Sequence, residues 1–193
     1  MEITWHGQTH FTIKGAKASL KIDALDENAS ADILTFSDTN TPVTEDGRHI
    51  FSWPGEYEAR GVLMTAIEAL QAPTGEEAGQ PTLMFHYQMD NIKLAHLAQL
   101  GTPLSDDQLE AIGNVDILMI PVGGGNTLDA KAAHNVVEQI DPRVVIPMAF
   151  ENPADFLKEV GASGEEQEES YKVKGRSELP DDTTRFVMLV PQG

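Results

Sequence analysis

An α/β fold, in which two mixed β-sheets carry helices on their outside, is what this sequence predicts, and three observations carry the prediction. The first is the stretch Val115 to Phe150, which reads VDILMIPVGGG, NTLDAKAAHNVVEQI and DPRVVIPMAF. Its two apolar runs, Val115 to Val122 and Val144 to Met148, suit strands buried on both faces, and the segment between them repeats its apolar residues at helical spacing. Strand, crossover helix and parallel strand follow, with the connecting loops at the carboxyl strand ends where open α/β folds keep their sites. The second observation is a meander of short strands at the start of the chain. The third is a hairpin, Thr82 to Gln88 and Ile92 to Leu97, around Asp90-Asn91.

Taken in order, Glu2 to Trp5, Phe11 to Ile13 and Ala18 to Ile22 read as antiparallel strands turned at Gly7 and Gly15. Asp32 to Phe36 and His49 to Phe51 are further short strands, separated by a polar loop, Ser37 to Arg48. Pro54-Gly55 turns the chain, and Gly61 to Ile67 continues as a strand before the Gly- and Pro-containing loop Ala72 to Pro81. A short helix follows Gly101: Ser105 is placed to cap it, Gln108 completes a capping box, and Gly113 lies past its end. In the crossover helix Asn126 or Thr127 is the expected cap, with Asp129 in the first turn and Asp141-Pro142 as the stop. Pro153 to Val160 is a third short helix and Arg185 to Val190 a closing strand. Glu165 to Glu169 reads as a solvated acidic loop. The whole, residues 1–193, reads as one domain with a real core.

Composition narrows the function. There are 31 acidic against 13 basic residues, a formal charge of −18, which repels phosphate backbones and anionic lipid surfaces. Nucleic acid and membrane are therefore not expected partners, and no local basic patch stands out along the chain. The partners left open are a second copy, another protein or a small-molecule ligand. The lack of cysteine excludes disulfides and thiolate chemistry and fits a cytoplasmic setting. No stretch approaches the roughly 20 apolar residues that span a bilayer.

ITWHGQTHFTIKG at the start, ADILTFS at 31–37, PGEYEARGV at 54–62, IKLAHLAQLG at 92–101, and VDILMIPVGGGNTLDAKAA with VVIPMAF occur in an order and spacing that resemble the metallo-β-lactamase superfamily. The closest likeness is to its branch of small metal-dependent hydrolases carrying a PGEYE motif. The resemblance implies a four-layer αββα sandwich of two mixed sheets, with a metal site at one edge between them. Zinc-type chemistry there requires imidazoles and carboxylates converging on one or two ions that acidify a bound water.

Carried over position by position, the family's metal-binding segment HxHxDH falls on Asp38 to Val43. Its histidines become Asp38, Asn40 and Val43, and its aspartate becomes Pro42. The next histidine falls on or near Gln71, the bridging aspartate on Gln99 and the last histidine on Ala149. The histidine of the opening segment is Gln8. Every expected ligand is replaced, so the resemblance implies Zn or another divalent metal for the family, while the residues of this chain give the expectation of no cofactor and no catalytic residue. The remaining pocket of Gln8, Asp38, Asn40, Gln71, Gln99 and Ala149, with Asp23 nearby, is oxygen-rich. The leading expectation is a pseudoenzyme acting by binding or assembly. The alternative is a metal-dependent hydrolase of phosphodiester or ester bonds with an atypical site.

Other groupings are weaker. His6 and His10, if on one strand, stand roughly 13 Å apart, too far to share an ion, and only a turn at Gly7 would bring them together. His96 is expected inside and hydrogen-bonded, on the face opposite His86; His49, His86 and His134 are expected at the surface. The GGGN run at 123–126 lacks the lysine of a phosphate-binding loop and reads as a turn. Glu56 and Glu58 share a strand face, which suits exposure better than acid–base work, and Ser37 has no histidine partner in its local sequence.

Overall fold

The computed structural model describes residues 1–24, 30–40, 49–162 and 166–193. In chain order the strands are β1 Glu2–Trp5, β2 Phe11–Lys14, β3 Ser19–Ile22, β4 Ile33–Thr35, β5 His49–Phe51, β6 Gly55–Ala59, β7 Val62–Leu70, β8 Pro81–Met89, β9 Ile92–His96, β10 Ile117–Pro121, β11 Val144–Met148, β12 Gln167–Glu168, β13 Tyr171–Lys172, β14 Arg185–Phe186 and β15 Met188–Leu189. The helices are α1 Asp106–Ile112, α2 Ala130–Ile140 and α3 Ala154–Glu159.

One sheet runs β13-β1-β2-β3-β4-β5 and a second runs β14-β11-β10-β9-β8-β7-β6, with β12 and β15 forming a small separate pair. Both main sheets are mixed. In the first, β1–β3 are antiparallel and β3–β5 parallel. In the second, β6–β9 form an antiparallel meander and β9, β10, β11 and β14 run parallel. The expected sandwich of two mixed sheets with flanking helices is what the structure shows.

Side-chain alternation explains how the layers stack. Ile3, Trp5, Phe11, Ile13, Leu20 and Ile22 point into a core shared with Phe85, Tyr87, Leu94, Met119 and Ile146 of the second sheet. The run through β10 divides between two cores, as a strand buried on both faces must: Ile117 and Met119 face the first sheet, whereas Leu118 and Ile120 join Val136, Val137 and Phe156 under the helices. Among the described residues, α1–α3 all contribute to this second core. The outward residues of β1–β3, among them Thr4, Thr12, Lys14 and Lys21, are polar, which an antiparallel sheet needs if one face meets water.

Local signals read from the sequence are largely met. Asp90 (φ 52°) and Asn91 (φ 61°) form a two-residue turn that pairs Met89 with Ile92 and His86 with Ala95. Ser105 caps α1: its hydroxyl accepts from the Gln108 N–H, and the Gln108 side chain accepts from the Ser105 N–H. Helix α2 begins later than expected, because Thr127 is spent on the preceding turn, where its hydroxyl donates to the Gly124 carbonyl. Asp129 is the cap instead, with Oδ1 accepting from Ala132 N–H at 2.8 Å. The left-handed Asp141 (φ 51°) ends the helix.

Two expectations change. The closing strand is broken between β14 and β15, since Val187 donates to Val145 while Val190 has already crossed to Glu168. The acidic segment is also not simply a loop. Gln167–Glu168 pairs with β15, and Glu168 takes an ion pair from Arg185 at 2.7 Å; Glu165 lies outside the described residues. No helix of the described residues is long and apolar enough to cross a membrane.

Candidate functional site

The candidate residues sit where strands end and loops begin. Gly7 (φ 97°) and Gln8 (φ 48°) turn the chain between β1 and β2, and the Gln8 carbonyl accepts from Trp5 Nε1 and from the Ala149 N–H at 3.2 Å. The backbone thus brings Gln8 and Ala149 together from opposite sheets. Ala149 itself is left-handed (φ 53°), and Gly123 lies so close that a Cβ there would strike the Ala149 carbonyl.

Asp38 and Asn40 follow β4. Asp38 Oδ1 accepts from both the Asn40 N–H (2.8 Å) and its Nδ2 (3.1 Å), an exposed Asx turn that presents two oxygen-bearing side chains. Gln71 directly follows β7, and its Oε1 accepts from Asn126 Nδ2 at 3.0 Å, tying it to the loop after β10. Gln99 is half-buried behind the left-handed Ala98. Pro42 and Val43 lie outside the described residues. Among the described residues no hydrogen bond joins Asp38 or Asn40 to Gln71 or Gln99.

Behind this rim lies a contact that sequence reasoning placed only as nearby. Asp23, left-handed after β3, accepts from the Ser37 N–H at 2.6 Å and from its hydroxyl at 2.7 Å. It therefore fixes the residue immediately before Asp38. The signal available in the sequence was an acidic residue directly after a strand facing a serine directly after the next.

Among the described residues the histidines do not gather into a three-ligand cluster, though Nε2 of His10 and of His86 is enclosed without a hydrogen-bond partner. His96 is fully buried, as expected: a carbonyl can only accept, so its Nε2 donates to Thr9 O (2.9 Å), and Nδ1 receives the Ala98 N–H. His6 and His10 correct their expected separation. The Gly7 turn, with His6 N–H donating to His10 O and His10 N–H to Gly7 O, brings the rings to 4.6 Å. Both nitrogens of His6 are nevertheless engaged, Nδ1 with Gln192 O and Nε2 with the Thr12 hydroxyl. His86, expected at the surface, is half-buried with Nε2 enclosed and unpartnered.

Burial depresses the basicity of His10, to about 4, and lowers that of His86 and His96. His10 therefore protonates more readily when unfolded and adds stability that is fully present above about 6.5, the ordinary value, and is lost as pH falls toward about 4; His86 and His96 act in the same direction. The urea midpoint is expected to drop across that window, and His10→Gln to flatten the drop. An unchanged slope in the variant would remove His10 from the account.

Among the described residues no three His, Cys, Asp or Glu side chains converge as a metal cluster. The donors at the rim are one carboxylate and several amides. They do not fit a His- and Asp-ligated zinc centre, and a lone carboxylate with amides suits a hard divalent ion only weakly.

Comparison with known proteins bears on this site. The chain superposes on the crystal structure of a candidate Zn-dependent hydrolase of the metallo-β-lactamase superfamily from Thermotoga maritima with a TM-score of 0.78 and 27% identity, covering 98% of this chain and 100% of that one. A UPF0173 metal-dependent hydrolase of Thermoplasma acidophilum is 27% identical over 138 residues, and a UPF0173 protein of Pyrococcus furiosus is 36% identical over 73 residues. These matches take in 69% and 35% of this chain and span 60% and 34% of the lengths of those two curated relatives. The expectation of no cofactor is corrected by them: the Thermotoga and Thermoplasma proteins carry names that specify zinc or metal dependence, which points to a divalent metal cofactor. The sequence model described as the beta-lactamase superfamily domain matches residues 2–149, and on that match the chain belongs to the β-lactamase superfamily.

Proposed function

We propose that this chain is a hydrolase of the metal-dependent kind found among its relatives, acting on ester or phosphodiester bonds through an atypical site at the loop end of the sandwich. The observation that carries the reading is the agreement along the whole chain with the Thermotoga fold. Asp38, the carboxylate exposed at that end, would contribute to holding a divalent ion, which in such sites polarises the bond under attack. Asp23 positions the loop through Ser37, and Gln8 joins the two sheets through the Ala149 backbone.

A second reading, binding without turnover, is favoured by one specific observation: amides, an alanine and a lone carboxylate stand at every described position where the resemblance expects a metal-binding side chain. The two readings separate in one assay. Purified protein is offered bis-p-nitrophenyl phosphate and p-nitrophenyl acetate with Mg²⁺, Mn²⁺ or Ca²⁺, before and after chelation. The hydrolase reading expects turnover that chelator abolishes and that Asp38→Ala lowers at least tenfold, the scale of one lost charged contact in the transition state. Turnover absent with every ion supports the second reading.

A further inference from the structure

The outward face of the six-stranded sheet holds a groove unrelated to the loop-end site. Its volume is about 670 Å³, and its lining includes Lys14, Lys17 and Lys21 with the hydroxyls of Thr4, Thr12 and Ser19. The strand register explains how these side chains come together. Thr4, Thr12 and Lys21 stand side by side across β1, β2 and β3, and Glu2, Lys14 and Ser19 form the neighbouring row. Lys17 comes from the tight connection between β2 and β3, where Gly15 packs against Met89 and Asp90.

Three of the chain's 13 basic residues therefore face one groove on a protein of net charge −18. This corrects the expectation that no basic patch exists. The run KGAKASLK scatters its lysines in sequence, and only the β2–β3 turn gathers them. Asp32 lines the groove as well, so three ammonium groups stand there against one carboxylate. Asp32 accepts from the Ser19 N–H and hydroxyl, and Glu2 is held by Ser170 and Lys172. His6 keeps Thr12 oriented: Nδ1 donates to the Gln192 carbonyl, so in the neutral ring Nε2 accepts the Thr12 hydroxyl proton at 2.8 Å.

We propose that this groove binds a small molecule bearing two or more phosphate groups. The three ammonium groups match phosphate oxygens, and the charge-assisted bonds they form are the strong ones. The Thr4 hydroxyl stands beside them; those of Ser19 and Thr12 already donate to Asp32 and His6. The net charge of the chain selects the size of the ligand. An acidic macromolecule would lie against the surrounding negative surface, whereas a compact polyphosphate lies within a Debye length of about 8–10 Å of the three lysines.

The test is calorimetric titration of the full chain with inorganic pyrophosphate, without added metal. The expected result is saturable binding that weakens with salt, falls at least tenfold in Lys14→Gln/Lys21→Gln, and is unchanged in Lys131→Gln on α2 and in Asp38→Ala. Each variant is first shown to melt with the wild-type midpoint; if the double variant does not fold, Lys17→Gln and Lys21→Gln, made singly, replace it. No binding to the wild type overturns the proposal, as does binding that survives in the lysine variants. Loss in Lys131→Gln to the same extent, or loss confined to Asp38→Ala, also overturns it, the latter by placing the phosphate at the loop-end site.

Discussion

Asp116→Ala is expected to lower the unfolding free energy by about 3 kcal/mol, the lower end of what removing one partner of a buried ion pair costs. The Asp116 side chain is 4% exposed at the foot of β10. Its carboxylate accepts from the Lys93 N–H at 3.0 Å and from Arg176 Nε at 3.0 Å, and Arg143 Nε stands 3.5 Å away. Its backbone adds three more links, donating to Lys93 O and accepting from the Arg143 and Val144 N–H groups. One residue thus ties β9, β10, the start of β11 and the 3₁₀ turn Arg176–Glu178 together. Alanine strands the Lys93 amide and removes the counter-charge of two guanidiniums. Both arginines retain access to water, which keeps the cost from reaching the upper end of that range. Asp116→Asn keeps shape and acceptor but not charge, and is expected to cost about 1–2 kcal/mol. Urea denaturation of the three proteins checks the order; an alanine variant as stable as wild type would show that the network contributes nothing net.

Gly101→Val is expected to destabilise by about 3 kcal/mol through overpacking against backbone. Three segments converge at this point. Gly101 N–H donates to Leu70 O (2.9 Å), Ala72 N–H to Asn126 O (2.7 Å), and Leu128 N–H to Leu100 O (3.0 Å). A Cβ on Gly101 would overlap the backbone of Gln71 and Ala72, which no rotamer change relieves. The variant would also displace Gln71 and Gln99, so binding at the loop end should fail along with stability. Gly175, with nothing within 4 Å of a built Cβ and an extended φ of −177°, is the control: Gly175→Ala should leave the urea midpoint unchanged. Equal effects at the two positions would contradict this account of why the loops can meet.

The elements most legible in the sequence were those whose signals are local. The β10–α2–β11 unit follows from unbroken apolar runs around a helical repeat, the Asp90-Asn91 hairpin from its turn residues, and α1 from Ser105 and Gln108. The α2 cap was misplaced because Thr127 and Asp129 are both competent caps; a turn to Gly124 decided between them. What remained hidden depends on residues meeting across the fold. The His6–His10 stack needs a left-handed Gln8, and the lysine groove needs the β2–β3 register. At the loop end, the assignment of side chains to the family's positions is what the sequence resemblance implies. The Asp23–Ser37 bond and the Gln71–Asn126 pair appear only once the strands are laid side by side.

The central claim, a divalent metal bound at the loop end although this chain lacks the family's His and Asp ligands, is tested most directly by metal content. Protein purified without an affinity tag is analysed for metals, and its melting temperature is measured with and without added Mg²⁺, Mn²⁺, Ca²⁺ and Zn²⁺. The account predicts close to one hard divalent ion per chain and a melting temperature that rises with added ion by mass action, a rise that Asp38→Ala removes. Protein with no bound metal and no shift with any of the four ions would contradict it and leave binding without turnover as the function of the loop-end site.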